Sequence, residues 1–278
     1  MSRALGRVSL PRIVIYVVLS LVTISAIYPF FFMVINAFKS MGDYFANPYG
    51  LPRHWTLASF KVMFATTDPL QALLNSTIVV VLGVALNLVV SSMAGYSLAK
   101  LRPPGHRFLF VGIISAMMVP FQVILIPLFE NMANLGLVNT YQVVVLLYVA
   151  TSCPFGIYLM RSYFAGVPDE LLEAAQMDGF SFHRIFTRIM IPVAQPALVT
   201  LGVVNFVQMW TNLLIALVFL QAANMRTITV DIALLIGQRL TDYPAMFALL
   251  VISSVPTILC FLLFQRYLAS GMLIGVER

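Results

Sequence analysis

Asn205, Gln208 and Asn212 are spaced three and four residues apart inside the apolar run 193–220, so on a helix they share one face. Amides carry donors and acceptors without charge. In an apolar setting that chemistry suits two tasks: bonding a neighbouring helix, or lining a path for a solute rich in hydroxyls. Both readings stand at this stage. Trp210 lies on a different face and reads as a packing anchor. A second constellation runs from Val167 to Pro192 and holds four of the chain's ten acidic residues. Pro168 suits a first helical turn, where a missing N–H costs nothing, and Asp169 and Glu170 follow at the positive end of that helix. Leu171, Leu172, Ala174 and Ala175 form an apolar stripe flanked by Glu173. Gly179 supplies a left-handed residue where the chain must turn. Phe182, Ile185, Phe186 and Ile189 then recur at helical spacing up to Pro192. Two short amphipathic helices around a glycine, lying along a membrane face, make a surface to be gripped by another protein. An interfacial helix lying in lipid headgroups is the alternative. Crowding in the tight turn and an added charge are the expected effects of Gly179→Asp.

Other chemistries are missing. No G-x-x-x-x-G-K-[ST] loop surrounds any of Lys39, Lys61 or Lys100, so the chain has no phosphate cradle for ATP. His54, His106 and His183 fall in loops without metal-ligand spacing. Cys153 and Cys260 fall in apolar runs and read as small buried residues. Glu130 is the one acid read as close to a span edge, which leaves no carboxylate for proton or sodium coupling. Neither a catalytic residue nor a metal ligand is assigned.

The elements that must position these residues are apolar. Of 278 residues, 61% are hydrophobic and 9% charged, against about a quarter charged in a soluble domain. Long runs near 13–37, 72–95, 108–129, 141–160, 193–220 and 245–265 are each of roughly the 20 residues a helical crossing needs. The fold class is therefore an all-α membrane protein with six transmembrane helices, read as a single domain over 1–278, its first span retained for want of a cleavage site. With the N-terminus inside, Arg3, Arg7, Arg12, Lys100, Arg102, Arg107, Arg161, Arg184, Arg188, Arg266 and Arg278 are cytoplasmic, against Lys39, Arg53, Lys61, Arg226 and Arg239 outside. Eleven against five satisfies the positive-inside rule and puts both termini and 168–192 in the cytoplasm. The net charge of +6 follows from that topology and implies no nucleic-acid partner. Pro120 and Pro127 are expected to kink the third span.

Glu173-Ala174-Ala175, Gly179 and Ile189-Met190-Ile191-Pro192, at these spacings, resemble the E-A-A-x3-G-x9-I-x-L-P signature of permease subunits of ABC importers. Ile191 replaces the usual leucine. The outer segment around Leu51-Pro52 and Trp55, and the ending Gln265-Arg266-Tyr267-Leu268 with Gly271 and Gly275, resemble the smaller maltose-type carbohydrate permeases. The span-five motif of that branch carries an acid where this chain has Asn212. The resemblance implies a type I importer permease in a cell inner or plasma membrane. Its segment 168–192, between spans four and five, would be the cytoplasmic coupling helix, with Glu173, Ala174, Ala175, Asp178, Gly179, Phe180, Ser181, Phe182 and Pro192 at the contact with an ATP-binding subunit. The implied partners are a second, homologous permease in a heterodimer, two ATP-binding subunits, an extracytoplasmic solute-binding protein and membrane lipid. No cofactor is bound by this chain itself, ATP and Mg residing on the ATPase subunits. A permease for a non-sugar solute and a self-contained facilitator or secondary carrier are the alternatives; the latter has no use for a coupling segment.

Overall fold

The computed structural model describes residues 10–237 and 242–273, with side chains for 12–237 and 242–266. Arg3, Arg7, Arg239, Gly275 and Arg278 lie outside the described residues, and the side chains of Tyr267, Leu268 and Gly271 lie outside the described ones. Among the described residues every regular element is helical. In chain order these are α1 (Leu10–Ala37), α2 (Met41–Ala46), α3 (Ala58–Thr66), α4 (Pro69–Tyr96, prolonged by a π-turn Ser97–Leu101), α5 (His106–Ser115) and α6 (Phe121–Asn134). There follow α7 (Tyr141–Ala165), α8 (Asp169–Met177), α9 (Phe182–Ile185, followed by a π-turn Phe186–Met190), α10 (Ile191–Val193), α11 (Gln195–Trp210), α12 (Leu214–Phe219), α13 (Ile228–Ile236) and α14 (Tyr243–Leu273).

Four straight stretches, Arg12–Ala37, Pro69–Leu101, Tyr141–Ala165 and Tyr243–Arg266, are long and apolar enough to cross a membrane. Two bent pairs bring the number to six if each is one span: His106–Met118 with Phe121–Asn134 at 95°, and Phe182–Val193 with Gln195–Trp210 at 75°. The first bend is a full break. Val119 is extended (ψ 112°) ahead of Pro120, the conformation a residue before proline favours, and Pro120 opens the next helix. Pro127 stays inside α6. At the second bend Pro192 and Pro196 flank Ala194; each lacks the N–H that would continue the ladder. The run 193–220, read as one continuous helix, is in fact two: α11 stops at Trp210 and α12 starts at Leu214.

The described residues fall into two units, those within Met1–Asp68 and Leu234–Ile252 and those within Pro69–Ala233 and Ser253–Arg278. In the first, Lys39 is fully buried and donates to the carbonyls of Asn47 and Pro48 at 2.7 and 3.2 Å. Ser59 Oγ donates to the carbonyls of Ala37 and Lys39. Burial pushes the Lys39 ammonium below its ordinary pKa, an effect that nearby Asp43 partly offsets. A lysine that counts only as a topological charge in the sequence thus clamps the loop after α1. Trp55 is largely exposed and rests against Phe38.

In the second unit α4 and α7 pack along each other. The buried face of α4 is a stripe of small and polar residues that includes Ala72, Ser76, Gly83, Asn87, Ser91 and Gly95. Small residues let helices approach closely in a bilayer, where apolar attraction between them is weak. A Cβ on Gly95 would sit 2.7 Å from Met160 Cβ, and one on Gly156 would sit 2.9 Å from Asn87 Oδ1. Gly156→Val should therefore destabilise the chain by about 1–3 kcal/mol through overpacking. A melting temperature equal to that of the parent protein would refute this close approach.

Candidate functional site

The segment between α7 and α11 is built from local rules. α7 ends at Ala165, Val167 is buried, and Pro168 is extended (ψ 139°) at the N-cap of α8. Asp169 and Glu170 lie in the first turn. At the other end the Gly179 N–H donates to Gln176 O (2.9 Å) and the Phe180 N–H to Ala175 O (3.0 Å). With Gly179 at φ +76° this is a Schellman motif, in which Phe180 turns back onto the helix it terminates. Ser181 then caps α9 by accepting from the Arg184 N–H.

Of the four stripe residues the structure buries two. Leu172 and Ala175 insert among Tyr96 and Ala99 at the end of α4, Met160 and Phe164 of α7, Ile185 and Met190, and Leu201 of α11. Leu171 and Ala174 are exposed, as are Glu170, Glu173, Met177, Asp178 and Phe182. Phe182 leaves the core to Ile185, Phe186 and Ile189. Pro192 lies in α10, at the approach to the bend. The outer face of α8 is thus three carboxylates interleaved with Leu171, Ala174 and Met177. Its inner face is fixed to helices α4, α7 and α11 together.

A polar clamp adds to this. The Lys100 ammonium, on the π-turn that prolongs α4, donates to the Val167 carbonyl and to Asp169 Oδ1. Arg102 Nη2 reaches Asp169 Oδ2 at 3.3 Å. The Lys100 side chain is 2% exposed, those of Arg102 and Asp169 56% and 52%. The Lys100 hydrogen bond, then its charge and the Arg102 contact, hold the Asp169 carboxyl below its ordinary value. The sequence marked Lys100 and Arg102 only as basic residues of a loop. Nothing within a local window connects them with Asp169, which lies 69 residues beyond Lys100 and 67 beyond Arg102.

The three amides are divided. Asn205 is fully buried, and its Nδ2 donates to Asn87 Oδ1 at 2.7 Å. Ser91 Oγ donates to the same oxygen, and Asn87 Nδ2 approaches Cys153 Sγ at 3.6 Å. Gln208 and Asn212 instead line a cavity of about 420 Å³ with Tyr148, Thr151, Ser152, Met209 and Thr211. Asn212 lies beyond the end of α11, where its Oδ1 accepts from the Ile215 N–H in the first turn of α12. Trp210 is buried, stacks on Phe206 and donates to the Ser253 carbonyl. Cys153 and Cys260 are free and half-buried. Asp231 is a residue the sequence reading passed over: a carboxylate 8% exposed on the apolar helix α13.

Fold and site together define an all-helical, multi-pass membrane protein with an amphipathic helix packed and clamped between two of its apolar stretches and a polar cavity among its helices. The chain belongs to the family of binding-protein-dependent transport system inner membrane components, whose family model matches residues 87–274. It is 35% identical to the probable ABC transporter permease protein YurM of Bacillus subtilis, over 94% of this chain and 87% of that protein. It is 33% identical to the lactose transport system permease protein LacG of Rhizobium radiobacter, over 96% and 97%. The arabinooligosaccharides transport system permease protein AraQ of Halalkalibacterium halodurans is 32% identical, over 90% of each chain. A crystal structure of a bacterial ABC transporter involved in import of the acidic polysaccharide alginate contains a similar chain. The TM-score is 0.79 at 25% identity, over 92% of this chain and 95% of that one. Membership of the family places the chain in an ABC importer system with other subunits.

Proposed function

We propose that this chain is the permease subunit of an ATP-driven, binding-protein-dependent importer of a sugar or oligosaccharide. It forms half of the translocation pathway and hydrolyses nothing itself. A second, homologous permease completes the pathway, two ATP-binding subunits hold ATP and Mg, and an extracytoplasmic protein delivers the solute. Both termini and α8 face the cytoplasm.

The observation that carries this reading is the presentation of α8. Its outer face offers Glu173, Ala174, Met177 and Asp178 to a partner, while Leu172 and Ala175 root it in the core shared by α4, α7 and α11. A push on the outer face would therefore be delivered to three helices at once. Closure of the ATP-binding subunits supplies such a push, and the helices respond as rigid bodies in alternating access. The lactose and arabinooligosaccharide relatives support a sugar as cargo.

Tagged chain drawn from membranes in mild detergent should bring an ATP-binding subunit with it. In a background without native cysteines, single cysteines at Ser40 or Asn224 should react with an impermeant thiol reagent from outside. One at Ser181 should react only from the cytoplasmic side. The reverse labelling pattern, or purification without an ATP-binding subunit, would overturn the reading.

A further inference from the structure

We propose that Arg161 and Arg107, where α5 meets the α8 end of α7, form a binding site for the phosphate of an anionic phospholipid. The inference goes beyond the importer reading and depends only on the chain's place in a membrane.

Arg161 is a cation without a counter-charge. It lies inside the apolar stretch Tyr141–Ala165, near the end that leads to α8. Its Nε is buried and has no hydrogen-bond partner. No described acid pairs with it, and nearby Asp169 is taken by Lys100 and Arg102. The guanidinium instead lies over the Phe110 ring of α5, 4.0 Å from its centroid, and Tyr158 of α7 stacks on the same ring at 6.5 Å. A snorkelling arginine carries its head into water; this one is kept between two helices on an aromatic face. An ionised group held inside an apolar span is costly unless something of opposite charge meets it.

Depth favours a lipid phosphate for that role. The 25 residues of α7 run about 38 Å, against a hydrocarbon core of roughly 30 Å. Arg161 is one turn from the end of the helix, so it stands at the edge of the core, within reach of the phosphate layer.

Helix α5 supplies the rest of the site. Arg107 is exposed and precedes Phe110 by three residues, which makes the two neighbours on the helix surface. It too has no acidic partner among the described residues. The first turn of α5 holds no acid, and Gly105 at its N-cap offers no side chain. The N–H groups of Arg107 and Phe108 accordingly find no acceptor among the described residues. Forked guanidinium groups match phosphate oxygens two at a time. Phe108, Leu109 and Val111 are exposed, and α5 buries none of its residues, which leaves an apolar surface for acyl chains. A zwitterionic headgroup would bring a cation of its own to this arginine pair; an anionic one meets only attraction.

The test uses the intact complex, purified through a tag on this chain carrying Val111→p-benzoylphenylalanine, in nanodiscs of phosphatidylcholine with a minor fraction of phosphatidylglycerol. Val111 is exposed and one turn from Arg107. After irradiation, the mass of this chain gives the ratio of phosphatidylglycerol to phosphatidylcholine adducts. That ratio should exceed the bulk lipid ratio about tenfold, and Arg161→Met should lower it about fivefold, the weight of one basic residue near an anionic headgroup. Arg107→Met, a change at an exposed side chain, should lower it about twofold or more. Exchanging chloride for inorganic phosphate at equal ionic strength should leave the ratio unchanged. A ratio equal to that of the bulk lipid, or one indifferent to Arg161→Met, would overturn the proposal. If Arg161→Met does not assemble, indifference to Arg107→Met overturns it in the same way. Absence of any lipid adduct would show that a protein chain covers this face, and loss of the enrichment in phosphate buffer would show a free anion as the occupant; either result refutes a lipid site.

Discussion

Gly179→Val should abolish most ATP-driven uptake in proteoliposomes while the complex still assembles in the membrane. Gly179 sits at φ +76° and closes the Schellman turn that sends the chain from α8 into α9. An L-residue there costs roughly 1–2 kcal/mol, and a β-branched one more. The least expensive relief is to unwind the last turn of α8, which would move Met177 and Asp178 off the face proposed to dock and release Phe180 from the core. Uptake should fall about tenfold or more, in line with one or two kcal/mol taken from the docked geometry. Gly179→Asn should be far milder, because asparagine visits the left-handed region readily. The crowding expected for Gly179→Asp is not what the structure shows. A Cβ at Gly179 would meet nothing within 4 Å, so that substitution acts through backbone strain and through a carboxylate placed beside Asp178. Normal uptake by Gly179→Val in a complex of normal yield would refute the role given to this turn.

Lys100→Met should uncouple ATP hydrolysis from transport more strongly than any other single change in the clamp. Methionine keeps much of the buried stem but removes the charge that ties α4 to the Val167 carbonyl and to Asp169. Without it, α8 remains rooted by Leu172 and Ala175 but its N-terminus is free to lag behind α4. We expect solute moved per ATP hydrolysed to fall about tenfold, whereas Arg102→Met, at a half-exposed contact, should cost less than about twofold. The ratio is the decisive quantity, since a general loss of structure would lower uptake and ATPase together. An unchanged ratio in Lys100→Met would show that the clamp does not position α8. The pair also sets a pH window. Asp169 has its pKa lowered from about 3.8, so the clamp's contribution is fully present above that ordinary value and is lost as pH falls through the lowered one. Coupling through this pair should therefore be insensitive to pH near neutrality.

The amide face shows how far a local pattern reaches. Spacing placed Asn205, Gln208 and Asn212 on one stripe, and left packing and pathway open for all three. The crossing of α4 with α11 decided the first, because it sets Asn87 opposite Asn205, 118 residues away in the chain. The end of α11 at Trp210 decided the last, because Asn212 lies between α11 and α12 and not on a helical face. Only Gln208 stands on the helix and in the cavity together.

Hydropathy and proline, glycine and charge positions were enough by themselves to determine the helical membrane class, the places of four unbroken apolar spans, and the turn from α8 into α9 at Gly179. Each of these depends on interactions within a few residues: desolvation of a continuous run, a missing N–H, a left-handed backbone. The tertiary structure alone decided which of Leu171, Leu172, Ala174 and Ala175 are buried, that Lys100 clamps Asp169, that Lys39 holds its loop, and that Asp231 is enclosed. Those outcomes depend on which helices meet and at what angle. That geometry is set by small residues such as Gly95 and Gly156 acting between segments distant in sequence, so no single stretch of the chain contains it.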